Sequence, residues 1–210
     1  MFRKVLPLLG LTLSLIPSRG DWALSTSGPA VSSVTITRPD ASNFGGPFSL
    51  IDQNSRPVSS TDFRGTPMLI YFGYTNCADA CPLDIQAVSN VIDMLDRHGP
   101  AVVPIFITVD PQRDTPARLR NFLAAFDSHI VGLTGPVATI TKITTAYGAS
   151  GEGDRLHTEL DGRYDVLHAA IAYLMGRHGE FLDFVRLRDR PDAIAEKITN
   201  VIAASDRRGS

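Results

Sequence analysis

The order of apolar runs along this chain constrains its fold more than any other feature of the sequence. Three runs rich in β-branched or aromatic residues are each followed by a segment suited to a helix: 68–74 by 82–98, 102–109 by 116–126, and 130–133 by 137–147. Two further runs, 169–175 and 181–185, flank a Gly-Arg-His-Gly turn and precede a last helical segment. Strand and helix repeats that end in an antiparallel hairpin predict a mixed sheet with helices on both faces.

A further pair of short runs precedes these elements. Phe48 to Asp52 and Pro57 to Ser59 surround Gln-Asn-Ser-Arg, which predicts a small hairpin at the edge of the sheet. The complete order matches an α/β, thioredoxin-like mixed sheet flanked by helices, with an N-terminal β-hairpin extension. The chain has 210 residues, 43% of them hydrophobic, and a formal net charge of −2. It therefore suits one globular domain, and the absence of a basic stripe argues against nucleic acid as a partner.

The N-terminal residues have the pattern of an export signal. Met1-Phe-Arg-Lys4 is positively charged, Val5 to Ile16 is mostly apolar, and small residues precede a cleavage position after Gly20. The apolar part would reach about 18 Å as a helix, which is short of the ~30 Å hydrocarbon core of a bilayer. We expect a signal peptide at 1–20, a linker and loop at 21–45, the folded domain at 46–205 and a disordered tail at 206–210. The protein is then exported or periplasmic, and membrane-anchored only if the signal is not cleaved.

Cys77 and Cys81 are the only cysteines, and they lie where the run 68–74 meets the next helical segment. The sequence places Cys77 on the loop and Cys81 in the first helical turn, since Pro82 fits only near a helix start. The unpaired N–H groups of a helix N-terminus favour a thiolate, so we expect two exposed sulfurs of low pKa. Such a pair can bind a metal, close a disulfide or attack one. Tyr164-Asp-Val-Leu-His168 places an imidazole just before the run 169–175, so all three side chains converge if the two strands are neighbours.

A purely structural role suits the cysteine pair poorly. A disulfide across four residues closes a small loop and removes little entropy from the unfolded chain. Structural zinc requires four ligands, and the chain offers only two thiols.

Four segments appear in a fixed order and carry a resemblance to a known family. They are Gly73-Tyr-Thr-Asn-Cys-Ala-Asp-Ala-Cys-Pro82, Val109-Asp-Pro-Gln-Arg-Asp-Thr-Pro116, Gly132-Leu-Thr-Gly135, and Tyr164-Asp-Val-Leu-His168 with Tyr173-Leu-Met175. Together they resemble the SCO/SenC family of copper-binding proteins that assist cytochrome c oxidase assembly. The resemblance covers roughly residues 44–205.

The resemblance implies a thioredoxin-like domain that binds one copper ion and helps deliver it to subunit II of the oxidase or to another copper acceptor. The matching ligands are Cys77, Cys81 and His168. Thiolates suit Cu(I), and an imidazole suits both Cu(I) and Cu(II). Two sulfurs and one nitrogen also leave a coordination position open for a transfer partner. An exported thiol pair additionally requires a thiol reductant, because its compartment is oxidising.

Several other polar residues have candidate roles. Asp110, Arg113 and Asp114 are expected to fix their loop by capping and ion pairing. Asp79 is either a helix cap or part of the site, Asp165 could orient His168, and His157 is a candidate accessory ligand. Tyr71, Phe72 and Tyr74 are expected to pack in the core or at its rim.

Two functions from different classes remain open. The first is a copper metallochaperone that uses Cys77, Cys81 and His168. The second is a thiol-disulfide oxidoreductase acting on partner cysteines, in which one thiol attacks and the other resolves the mixed disulfide. Only the first requires the histidine.

Overall fold

A computed structural model gives the structure of residues 44–77, 80–127, 129–149 and 170–209. These residues form one mixed sheet of seven strands in the order β2-β1-β5-β4-β3-β6-β7. The strands are β1 (Ser49–Asp52), β2 (Pro57–Ser59), β3 (Met68–Gly73), β4 (Val103–Thr108), β5 (Val131–Thr134), β6 (Ile171–Met175) and β7 (Phe181–Arg186).

Strand β3 lies in the interior of the sheet, between β4 and β6. Strand β3 runs parallel to β4 and antiparallel to β6, with Tyr71 opposite Phe106 on one side and Ala172 on the other. Strands β4 and β5 are parallel, whereas β6 and β7 form an antiparallel hairpin. Hairpin β1–β2 lies at the opposite edge, where β1 pairs antiparallel with β5. The predicted fold class, with its N-terminal hairpin, is confirmed.

Within the described residues, four α-helices cover the sheet: α1 (Ala80–His98), α2 (Pro116–Leu123), α3 (Val137–Ala146) and α4 (Pro191–Gly209). Helix α1 is amphipathic, and its buried stripe packs with that of α4 against the odd-numbered residues of β3. Helix α3 packs on the other face, against Ile70 and Phe72. Side chains alternate between the two faces of a strand, so β3 contributes to both cores.

Two helix ends differ from the sequence prediction. Helix α2 ends at Leu123 rather than near 126, because the N–H of Phe126 bonds the Leu123 carbonyl and closes a turn. Helix α4 continues through Gly209, so the disordered tail expected from 206 is wrong as far as that residue. Its last turn is held by Arg177, whose Nε donates to Asp206 at 3.1 Å and whose Nη1 donates to the Gly65 carbonyl at 2.7 Å.

Within the ranges given above, no helix combines the length and apolar character that crossing a bilayer demands. The predicted signal peptide and nearly all of the linker lie outside the described residues.

Candidate metal centre

The two cysteines lie where the sequence predicts, on either side of the start of α1. Cys81 is the second residue of the helix and Cys77 lies on the loop after β3. Neither forms a disulfide. The backbone N–H of Cys81 donates to the Cys77 sulfur at 3.2 Å, so this sulfur lies at the helix N-terminus.

The two sulfurs differ in exposure. Cys77 is half-buried, whereas Cys81 is 0% exposed. Burial raises the pKa of Cys81 to about 12, although hydrogen bonds from Tyr74 and Tyr71 act in the opposite direction. The expectation of an exposed, low-pKa sulfur is therefore wrong for Cys81, because burial outweighs the helix N-terminus.

Gly73, the last residue of β3, lies directly against the Cys81 sulfur. A Cβ on Gly73 would lie 3.2 Å from this sulfur, 2.8 Å from the Tyr71 ring and 3.0 Å from the Phe106 ring. Both rings are fully buried. Glycine at position 73 therefore provides the space in which the sulfur sits.

A buried polar group lies behind the same sulfur. The Tyr71 hydroxyl donates to Asp84 Oδ2 at 2.9 Å, and a side-chain hydrogen bond also joins Tyr71 to Cys81. Asp84 is 1% exposed, and its Oδ1 accepts no hydrogen bond from the described residues. Arg188 Nη2 nevertheless lies 3.1 Å from that oxygen and compensates its charge. Burial, with the neighbouring Cys81 and Asp84, raises the pKa of Tyr71.

A second buried carboxylate fixes the loop that carries Cys77. Asp114, whose side chain is 0% exposed, accepts from the Thr75 N–H at 3.0 Å and the Thr75 hydroxyl at 2.5 Å. It also accepts from the Thr108 hydroxyl at 2.6 Å. Arg118 Nε, 3.9 Å from Asp114, donates to the Thr75 hydroxyl at 2.8 Å. Asp114 thus joins the ends of β3 and β4 to α2.

The predicted role of the loop after β4 is confirmed in these contacts. Arg113 forms an ion pair with Asp110, and the Thr115 hydroxyl caps α2 by accepting from the Arg118 N–H. Asp79, His157 and Asp165 lie outside the described residues.

The third predicted ligand, His168, also lies outside the described residues. Within them, no three His, Cys, Asp or Glu side chains form a group that could hold a metal ion. The strand arrangement assumed for His168 is present, because β3 and β6 are neighbours. Their antiparallel register brings the start of β6 to the end of β3 from which the cysteine loop departs.

The residues that are described suit a soft metal ion. Two thiols four residues apart, not joined by a disulfide, share one loop and helix start, and one of them remains accessible. A soft thiolate pair selects Cu(I), zinc or iron–sulfur chemistry over Mg²⁺ or Ca²⁺.

Asp84 is not among the site residues predicted from the sequence, and Tyr71 is predicted only to pack in the core or at its rim. A signal for Asp84 was present, because it lies three residues after Cys81 on the helix face that also carries Ile85, Val88 and Ile92. A carboxylate in an apolar stripe requires a partner, and Tyr71 supplies it.

The sheet order, and a cysteine pair at the end of the interior strand β3, define a thioredoxin-like domain with an added hairpin. A family model for SCO1/SenC matches residues 36–203. The SCO2-like protein RC0895 of Rickettsia conorii is 34% identical over 77% of this chain and 78% of its own length. This chain belongs to the SCO1/SenC family.

Solved structures show the same likeness. A structure of Bradyrhizobium japonicum ScoI with copper bound matches with a TM-score of 0.65 and 40% identity, over 75% of this chain and 99% of that one. A structure of Arabidopsis thaliana ScoI with copper bound matches with a TM-score of 0.68 and 30% identity, over 77% of this chain and 99% of that one.

Proposed function

We propose that this protein is an exported copper metallochaperone that binds one copper ion through Cys77, Cys81 and His168. The observation that carries the proposal is the thiol pair at the start of α1, in a chain 40% identical to a ScoI structure with copper bound. Thiolates are strong ligands for Cu(I), and an imidazole adds a donor that also suits Cu(II).

The position of β6 supports His168 as the third ligand. Ala170, the first described residue before β6, bonds the Leu187 N–H through its carbonyl and is thereby fixed to the sheet. Two residues span at most about 7 Å of extended chain. This limit on the length of chain before Ala170 supports the proposal that His168 reaches the cysteine loop.

The cargo is delivered to subunit II of cytochrome c oxidase or to another copper acceptor. An accessible ligand sulfur can be reached by an incoming acceptor ligand, and Cys77 is the more exposed of the pair. The predicted export signal at 1–20 supports delivery in the periplasm, with anchoring to the membrane only where the signal is retained. A thiol reductant keeps the pair able to bind metal.

Metal analysis of the anaerobically reduced protein tests this function. The wild type should retain about one copper per chain after dialysis, and Cys77→Ala, Cys81→Ala and His168→Ala should each lose tight binding. His178→Ala is the matched control, because His178 lies exposed in the β6–β7 turn. Full copper retention by the His168 variant would exclude it as a ligand.

Thiol-disulfide exchange is the second candidate function. The observation in its favour is the pairing of an accessible Cys77 with a buried Cys81 in direct contact through the Cys81 N–H. An oxidoreductase of this kind needs no histidine. Turnover of a disulfide substrate that persists in His168→Ala would favour it, and negligible turnover by the wild type would exclude it.

A further inference from the structure

A polar chain connects the Cys81 sulfur to the protein surface. Tyr71 bonds both the sulfur and Asp84, and Asp84 in turn faces Arg188. Tyr71 and Asp84 are almost fully buried, while Arg188 is 55% exposed. Each member comes from a different element: β3, α1 and the segment after β7.

Packing of the core alone does not explain why Tyr71 and Asp84 are polar. Tyr71 and Asp84 lie among the apolar side chains between β3 and α1, where a carboxylate is unfavourable unless it is fully paired. A phenylalanine and an apolar residue would fill the same volume and often stabilise such a core equally well. What an apolar pair could not do is form a hydrogen bond with the sulfur.

We propose that Tyr71 and Asp84 are positioning residues for Cys81. When Cys81 is a thiol, its S–H donates to the Tyr71 hydroxyl oxygen while the hydroxyl donates to Asp84. When Cys81 is a thiolate, the single Tyr71 proton turns to the sulfur, and Arg188 compensates the Asp84 carboxylate. This inference rests on the proposed function only in treating Cys81 as a copper ligand. Groups that orient a metal ligand typically change metal affinity by 10- to 100-fold when they are removed.

The hydrogen bond between Tyr71 and Cys81 also affects the thiol-disulfide equilibrium of the protein when no metal is bound. It is available to the reduced sulfur, whereas a disulfide sulfur is a poor hydrogen-bond partner. The bond therefore favours the reduced cysteine pair. Its removal should shift the thiol-disulfide equilibrium about tenfold toward the disulfide, which corresponds to about 30 mV for this two-electron couple.

The test compares Tyr71→Phe with Tyr173→Phe. Tyr173 is a matched control because it is a buried tyrosine on the neighbouring strand, and it contacts Phe72, Tyr147 and Phe184 rather than the sulfur. Each protein is equilibrated with reduced and oxidised glutathione, where two glutathione thiols reduce one protein disulfide and release one glutathione disulfide. The dissociation constant for Cu(I) is measured by competition with a chromophoric chelator.

Tyr71→Phe should weaken copper binding at least tenfold and shift the glutathione equilibrium about tenfold, with both values unchanged in Tyr173→Phe. Changes below twofold in both measurements, or equal changes in the two variants, would overturn the proposal. Because the glutathione equilibrium contains no metal, it separates a failure of this inference from a failure of copper binding. Thermal unfolding verifies that both variants are folded.

A double-mutant cycle tests whether Asp84 acts through Tyr71. Asp84→Asn keeps the size of the side chain and should change both measurements in the direction seen for Tyr71→Phe. In the Tyr71→Phe background, Asp84→Asn should have little further effect. Full additivity of the two changes would show that Asp84 does not act through the hydroxyl.

Discussion

At the scale of single residues, the two cysteines have unequal roles. Cys77 is accessible and receives an N–H bond from the first turn of α1, whereas Cys81 is enclosed by β3 and the helix. The enclosure depends on Gly73, since any Cβ there would meet the sulfur and two buried rings. A small change at position 73 should therefore affect the Cys81 sulfur directly.

Gly73→Ala should displace the Cys81 sulfur and lower the free energy of unfolding by about 1–3 kcal/mol, because overpacking strains a rigid core. We expect copper to bind at least tenfold more weakly, as measured by chelator competition. Gly179→Ala is the control: Gly179 has φ +84° with nothing within 4 Å of a Cβ, so it should lose stability without losing copper affinity. Unchanged copper affinity in Gly73→Ala would show that the space at position 73 does not position the Cys81 sulfur.

At the scale of elements, the loop that carries Cys77 is held by residues remote in sequence. Asp114 bonds Thr75, which lies 39 residues earlier, as well as Thr108 at the end of β4. Arg118, from α2, reaches the hydroxyl of Thr75 and Oδ1 of Asn76. The position of the loop is therefore determined by β4 and α2 as much as by β3.

Asp114→Ala should lower the free energy of unfolding by at least about 2 kcal/mol, since several donors to a buried carboxylate lose their acceptor. The freed loop should also bind copper more weakly. Asp114→Asn retains one acceptor oxygen and should lie between the two proteins in both denaturant unfolding and copper affinity. Equal stability of Asp114→Ala and the wild type would show that the carboxylate does not hold the loop.

At the scale of the whole molecule, the hairpin β1–β2 makes the free energy of unfolding depend on pH. Asp52 closes β1–β2, where it accepts from the N–H groups of Asn54 and Arg56 and from Arg56 Nε, each at 2.8 Å. Burial raises the pKa of Asp52, but these hydrogen bonds and the charge of Arg56 outweigh burial and lower it below 3.8. A lowered pKa contributes stability that is complete above the unfolded-state pKa and is lost as pH falls through the folded-state pKa.

Asp52→Asn should therefore lose about 1–2 kcal/mol at pH 7 and show a shallower loss of stability between about pH 4 and pH 2. Urea unfolding across this range measures both effects. Asp93→Asn is the control, because the Asp93 carboxylate forms an exposed ion pair with Arg97 at 3.9 Å. A parallel pH profile for Asp52→Asn and the wild type would contradict the role of this carboxylate.

The sequence by itself determined most elements and the position of the thiols. Local signals predicted the strands, the starts of α1 and α2, and the placement of Cys77 and Cys81. These signals are the period-two and helical patterns, the Thr115 cap and Pro82. The motif order sufficed to identify the SCO1/SenC family.

Only the tertiary structure decided how those thiols are surrounded. The burial of Cys81, its bond with Tyr71, the ion pair of Asp84 with Arg188 and the attachment of Thr75 to Asp114 all join residues from different elements. Such contacts depend on sheet order and register, which local periodicity does not encode. The pKa of a thiol follows from these surroundings and not from its position in a motif, so the sequence located Cys81 correctly but predicted the wrong direction for its pKa.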